Sequence, residues 1–173
     1  GSSLFGEDER YHLYYRASGA WRLTAEDFFN VENINEMKLR VSYGTAGSRP
    51  GFSAQYETFN VSGGIISKGN LGNKSLKPAL SKELEIGLEM AFLDRFSLDV
   101  VYASKNTSDQ ILGVPLAAYY GYGSQTTNAG DLETNTIEAE FKAFLVQEKE
   151  MNWSIGMIFD RTREQITKLN RPP

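Results

Sequence analysis

The residues of this chain best spaced for chemistry are same-face carboxylates. Glu138 and Glu140 stand two apart, as do Glu83 and Glu85, with Glu89 further along the same parity. Residues two apart in an extended chain point the same way, and carboxyls about 5–5.5 Å apart serve a retaining glycosidase as acid and nucleophile. Such a pair needs a desolvated cleft that raises one of the two pKa values. Strands with this much alternation offer a hydrated polar face instead, so these glutamates read as the wall of a water-filled space. Gly121-Tyr122-Gly123 begins a glycine-rich phosphate loop, but Thr126 stands where the third glycine belongs and no helix follows. The chain has one His, His12, and no Cys, which excludes a Ser-His-Asp site, a His-rich metal centre, thiolate ligation and disulfides. No catalytic, cofactor-binding or metal residue is assigned, and no cofactor is expected. Tyr119, Tyr120 and Tyr122 remain, as flat rings on a glycine-rich connection. They are candidate contacts for a sugar, a peptide or a partner protein, and could equally just pack the loop.

What would position those tyrosines is a set of alternating strands. From Lys82, residues Leu84, Ile86, Leu88, Met90 and Phe92 share one parity, opposite Glu83, Glu85, Gly87, Glu89 and Ala91. Leu93-Asp94-Arg95 reverses the chain, and Phe96, Leu98, Val100 and Tyr102 carry the apolar parity back. Pairing Phe92 with Phe96 then sets Met90 against Leu98, Leu88 against Val100 and Ile86 against Tyr102, so turn length and register agree. Similar alternation spans residues 11–22, 38–47, 135–146 and 151–161, giving about six strands. Residues 49–81 and 106–133 read as long glycine-rich connections. Thr24 and Asp27 resemble a capping box opening a short helical turn, and 161–173 reads as a polar tail.

The long connections fall at one end of this sheet and the tight turns at the other. Trp21, Phe92, Phe96 and Trp153 lie on the apolar parity at the short-turn ends, and Tyr11, Tyr102 and Phe159 toward the long-loop ends. Two aromatic bands flanking an aliphatic belt suit a barrel wall facing lipid. No apolar run approaches the ~18 residues of a membrane helix, which leaves strand crossing open. The formal net charge of −4 argues against nucleic acid as a partner. The alternative is a soluble β-rich carbohydrate-binding module or carbohydrate-active enzyme fragment, with the apolar face turned into a core.

Five stretches, in order, carry a resemblance: GSSLFGEDERYHLYYRASGAWRLTAEDFF, INEMKLRVSYGTAG, LGNKSLKPALSKELEIGLEMAFLDRFSLDVVYASKNTSDQIL, VPLAAYYGYGSQTTNAGDLETNTIEAEF and NWSIGMIF. Together they resemble the C-terminal half of the barrel in SusC/RagA-like TonB-dependent outer-membrane transporters of the Bacteroidota. The chain departs from the family where Leu76-Lys77-Pro78-Ala79 precedes the hairpin strand. Asn128, Gly130, Asn135 and Glu138 keep the family's asparagine- and glycine-bearing signature, while Thr136 and Ile137 replace its usual Lys-Gly. The resemblance implies an all-β, antiparallel transmembrane barrel segment in the bacterial outer membrane, in contact with outer-membrane lipid. It further implies TonB-dependent import of glycans or oligopeptides, a SusD-like surface lipoprotein and TonB as partners, and no enzymatic activity.

About six strands do not close into a transporter barrel of roughly 22 strands around a plugged lumen. An open edge in lipid would cost several kcal/mol per unsatisfied backbone group. Residues 1–173 are therefore expected to form part of a larger barrel, with the plug domain and the remaining strands outside this chain. An export signal is likewise expected outside it, since the start has neither a basic nor an apolar leader region.

Overall fold

The computed structural model describes residues 11–169. Its strands are β1 Arg16–Arg22, β2 Ile34–Ser48, β3 Phe59–Ser62, β4 Ile65–Lys68, β5 Asn70–Leu71, β6 Ala79–Phe92, β7 Phe96–Pro115, β8 Ser124–Gln147 and β9 Asn152–Leu169. β1, β2, β6, β7, β8 and β9 pair in that order, each antiparallel to the next. The short β5 adds in parallel to the start of β8, and β3 with β4 forms a separate two-stranded hairpin.

The register follows the hydrophobic pattern. Phe92 pairs with Phe96, Met90 with Leu98, Leu88 with Val100 and Ile86 with Tyr102, as the alternation requires. Directly opposed residues share a face, so one row runs Trp21, Leu39, Leu88, Val100, Ala139, Phe159 across the sheet. Stacked rings tie the rows at the short-turn end, with centroids 5.2 Å apart for Phe92 and Phe96 and 5.9 Å for Phe96 and Phe141. The hairpin turn places Leu93 and Asp94 in the left-handed region, φ 54° and 55°. Asn35, at the start of β2, accepts the Asp94 backbone N–H at 2.9 Å, which holds that conformation.

Four expectations about extent need correction. β1 begins at Arg16, not residue 11. The span 106–133 is mostly strand: β7 and β8 continue to Pro115 and from Ser124, leaving only 116–123 as loop. β9 runs on to Leu169, through what reads as a polar tail. Thr24 caps no helix; its hydroxyl accepts the Met37 N–H at 3.4 Å, beside a single 3-10 turn at Leu23–Ala25.

Nothing among the described residues packs over the apolar face. Among the described residues the buried hydrophobic side chains are Ala54, Leu76, Ala79, Ala129 and Ala143, too few to make a core. Ile86, Tyr102, Ile137, Met157 and Phe159 stay 40–65% exposed on that face. The opposite face carries the charges. Glu89 lies 3.1 Å from Lys38 Nζ and 2.8 Å from Arg40 Nε, and Arg40 Nη2 reaches Asp99 at 3.3 Å. Gly87 makes that reach possible, because a Cβ there would meet the Arg40 guanidinium at 3.1–3.3 Å. Grooves form on this polar side; one of about 500 Å³ is lined by Arg16, Ser42, Glu83, Glu85 and Lys105 among others.

A face this apolar and this large exceeds the patch a soluble monomer normally exposes, and both edge strands lack an interior Pro. Residues 1–173 expressed alone without detergent should therefore emerge from sizing chromatography as aggregates or strand-paired oligomers. A compact monomer with a sharp unfolding transition would mean that the apolar face had found a core.

Candidate functional site at the long-loop rim

The aromatic bands set where the site stands. The upper boundary of the apolar face runs from Tyr43 on β2 through Tyr102 on β7 to Phe159 on β9. Phe159 lies two same-face rows below Tyr43. That drop is about 13 Å along the strand over about 19 Å of sheet, a tilt of roughly 35°. The lower boundary runs from Trp21 on β1 to Trp153 on β9, three rows apart, which gives roughly 40° by the same spacings. Both values match the tilt of outer-membrane strands. On β6 the band from Leu84 to Phe92 measures about 26 Å along the strand, or roughly 21 Å along the membrane normal. Everything on β7 and β8 beyond Tyr102 and Ile137 stands above lipid.

Above that line the connections fold into a rim. Residues 49–78 are clasped onto β7 and β8 by Asn128. Its side-chain oxygen accepts the Lys77 N–H at 3.0 Å, and its Nδ2 donates to the carbonyls of Lys77 and Asp109 at 3.0 and 2.7 Å. Asp109 sits at a bulge with φ 54°, and its N–H donates to Asp131 Oδ1 at 2.9 Å. Asn73 donates to the Thr126 carbonyl at 3.0 Å, and Gln125 to that of Gly72 at 3.1 Å. Leu76, within the clasped segment, is wholly buried.

The three candidate tyrosines separate into two kinds. Tyr122 is tied into the rim: its hydroxyl donates to Glu57 Oε2 at 2.8 Å, and Lys68 Nζ lies 4.6 Å from its ring centroid. The hydrogen bond to Glu57 raises the phenol's pKa above the usual 10.0, with desolvation and the carboxylate charge adding to it. The contribution of this contact is present below the ordinary phenol pKa and lost as pH rises through the raised one. Tyr119 and Tyr120 project instead, 79% and 48% exposed, with ring centroids 4.3 Å apart. They sit on a 3-10 turn, Ala118–Tyr120, closed by Gly121 at φ 73°. The β3–β4 hairpin, which sequence reading leaves as loop, adds Phe59, Val61, Ile65 and Ile66, 55–73% exposed. Its signal is Gly63-Gly64, both at positive φ as the tightest hairpin turns require.

The carboxylates that could have formed an acid–nucleophile pair lie along the open wall. Glu140 is 3.7 Å from Lys142 Nζ, and Glu138 lines a groove with Asp99 and Asp160. No group of three or more potential metal ligands occurs among the described residues. His12 lies before β1, 6.4 Å from Tyr14 ring to ring.

A family model described as "TonB dependent receptor-like, beta-barrel" matches residues 2–171. The chain belongs to that family. This TonB-dependent receptor barrel segment is similar to TonB-dependent receptor P3 of Formosa agariphila, 30% identical over 184 residues. It is 25% identical over 186 residues to TonB-dependent receptor SusC of Bacteroides thetaiotaomicron. Both alignments cover 98% of this chain and 18% of the relative, so the chain spans less than a fifth of their length. Among solved structures it superposes on the RagAB peptide importer in its closed-closed state, with TM-score 0.83 and 25% identity over 97% of this chain and 19% of that one. The segment is thus SusC/RagA-like, an antiparallel outer-membrane β-barrel wall from a family of transporters and receptors. The soluble-module alternative gives way to it.

Proposed function

We propose that this wall is part of an active outer-membrane importer of large nutrients, glycans or oligopeptides. The observation that carries the reading is the two-faced sheet: an unpartnered apolar belt between aromatic bands, backed by a face of paired charges and grooves. A plug domain and the remaining strands, encoded elsewhere in the protein, complete the barrel, and TonB supplies the energy. A SusD-like lipoprotein covers the long-loop rim and delivers cargo to it. No covalent chemistry is involved; cargo is captured at the rim and released through the lumen.

Within the rim, Tyr119 and Tyr120 contact cargo or the lipoprotein, while Tyr122 holds the loop that presents them. Stacked aromatic contacts contribute about 0.5–1.5 kcal/mol each beyond burial, so Y119A/Y120A in the intact transporter should weaken capture roughly tenfold and leave barrel folding unchanged. Uptake of labelled glycan and peptide pools by cells carrying parent or variant, with and without TonB, is the measurement. Uptake that persists without TonB would contradict the importer reading. TonB-dependent uptake unaffected by Y119A/Y120A would remove only the assignment of the two tyrosines.

A further inference from the structure

The β3–β4 hairpin and the tyrosine turn are joined into one platform. At the hairpin's base the Gly69 N–H donates to the Thr58 carbonyl at 2.8 Å, and the Asn70 N–H to Thr58 Oγ1 at 2.8 Å. From there β5 adds to the start of β8, and the Gly123 N–H donates to the Gly69 carbonyl at 3.3 Å. Ser124 Oγ donates to Asn70 Oδ1 at 3.2 Å, and Lys68 closes the joint over the Tyr122 ring. Gly121, next to Tyr120, brings the turn against the same lysine, since a Cβ there would lie 3.6 Å from Lys68 Nζ. Directly opposed residues put Phe59, Val61, Ile66 and Lys68 on one face of the hairpin, all of them exposed.

Two features of this platform select its ligand. The polar side chains around it are engaged in holding the rim together: Thr58, Asn70, Asn73, Ser124, Gln125 and Asn128 all hydrogen-bond within it. What faces outward is apolar surface and rings. A glycan needs hydrogen-bonding side chains turned toward its hydroxyls as well as flat rings, whereas apolar peptide side chains need only the apolar surface. The charge is also one-sided. Residues 49–78 hold Arg49, Lys68, Lys74 and Lys77, all exposed, against a single carboxylate, Glu57, which accepts the Tyr122 hydroxyl. Residues 110–130, the part of β7 and β8 farthest above lipid, hold no charged residue. A cationic rim on a chain of formal net charge −4 draws anions to that end. We propose that this platform captures acidic oligopeptides, with apolar side chains on Phe59, Val61, Ile66 and the Tyr119–Tyr120 pair and carboxylates at Lys68 and Lys74. The inference rests on the importer reading and narrows its cargo from glycans or oligopeptides to one class.

The test uses the intact transporter with its lipoprotein and short labelled peptides that alternate valine with glutamate, glutamine or lysine, beside a neutral oligosaccharide of similar length. Affinity should fall in the order glutamate, glutamine, lysine, with the oligosaccharide weakest. K68Q/K74Q should weaken the glutamate peptide about three- to tenfold and the glutamine peptide about twofold or less. Added salt should shrink the glutamate advantage. V61S/I66S should weaken both of those peptides alike, about tenfold. K68R keeps the charge and the ring contact and should bind as the parent does. Heat-modifiable migration on gels verifies that each variant is folded. Should K68Q loosen the loop, K74Q alone decides, with a loss of about two- to threefold confined to the glutamate peptide. Equal affinity for the glutamate and lysine peptides, tightest binding of the oligosaccharide, or no selective loss in the glutamine variants would each overturn the proposal. Loss of the lipoprotein from V61S/I66S at unchanged peptide affinity would also overturn it, by making the platform the lipoprotein's seat. TonB-dependent uptake that persists through any of these results would leave the importer reading standing.

Discussion

Arginine at Leu88 is expected to destabilise the intact barrel by about 2–4 kcal/mol, because that residue sits near the bilayer midplane. Leu88 lies midway along its band, paired with Leu39 on one side and Val100 on the other. Among the described residues its same-face neighbours on β6, Ile86 and Met90, are apolar as well, so a guanidinium at that depth has no polar neighbour along the strand. Arginine at Val101 is the matched control. Val101 lies opposite Gly87 and Glu138, on the face that carries the charges and next to the Leu88 row, and a substitution there should change stability by about 0.5 kcal/mol or less. Equilibrium refolding of the two variants into lipid vesicles, followed by tryptophan fluorescence, compares them directly.

The second large effect is expected at Asn128. Replacing it with alanine removes three hydrogen bonds at once and leaves the Lys77 N–H and the carbonyls of Lys77 and Asp109 without that partner. Unsatisfied groups of this kind cost about 1–3 kcal/mol where water does not replace the bond. The loss is local, so hydrogen exchange should speed up at residues 72–78 and around the Asp109 bulge while the lipid-band strands remain protected. Asn128→Asp keeps the oxygen acceptor but loses both donors, and should give a partial effect. Uniform exchange across the sheet in N128A would mean that the clasp governs the whole wall and not the rim alone.

The β6–β7 hairpin was legible in the sequence pair by pair, because one face meets lipid and the other water, and a one-residue slip would invert both. The lower aromatic band was legible for the same reason, as were Tyr102 and Phe159 of the upper one; Tyr11 lies before β1, and Tyr43 on β2 takes its place in the stagger that recovers the strand tilt. Legibility ends where that contrast ends. Beyond Tyr102 and Ile137 both faces of β7 and β8 stand in water, so residues such as Asn106, Thr107, Ser108, Thr126 and Thr127 show no apolar alternation and read as loop. β9 continues past Arg161 for the same reason, with Arg163, Glu164 and Gln165 paired to β8 in a stretch without a greasy parity. The bulges at 107–111 shift the register there and erase what periodicity remained. At the rim, type and spacing pointed to all three tyrosines alike. Their division into an anchored Tyr122 and a projecting Tyr119–Tyr120 pair depends on Glu57 and Lys68, which lie more than fifty residues away in the chain.

The central claim is that alternate residues of β6 and β7 face lipid and lumen, and parity-resolved lipid contact tests it most directly. The segment contains no Cys, so within it a single introduced Cys offers a clean labelling position. Fluorophores placed one at a time at Ile86, Gly87, Leu88 and Glu89 of the intact transporter, reconstituted with lipids carrying a quencher in the acyl chain, report the pattern. The account predicts strong quenching at Ile86 and Leu88 and weak quenching at Gly87 and Glu89. Equal quenching at all four positions, or the opposite alternation, would contradict it.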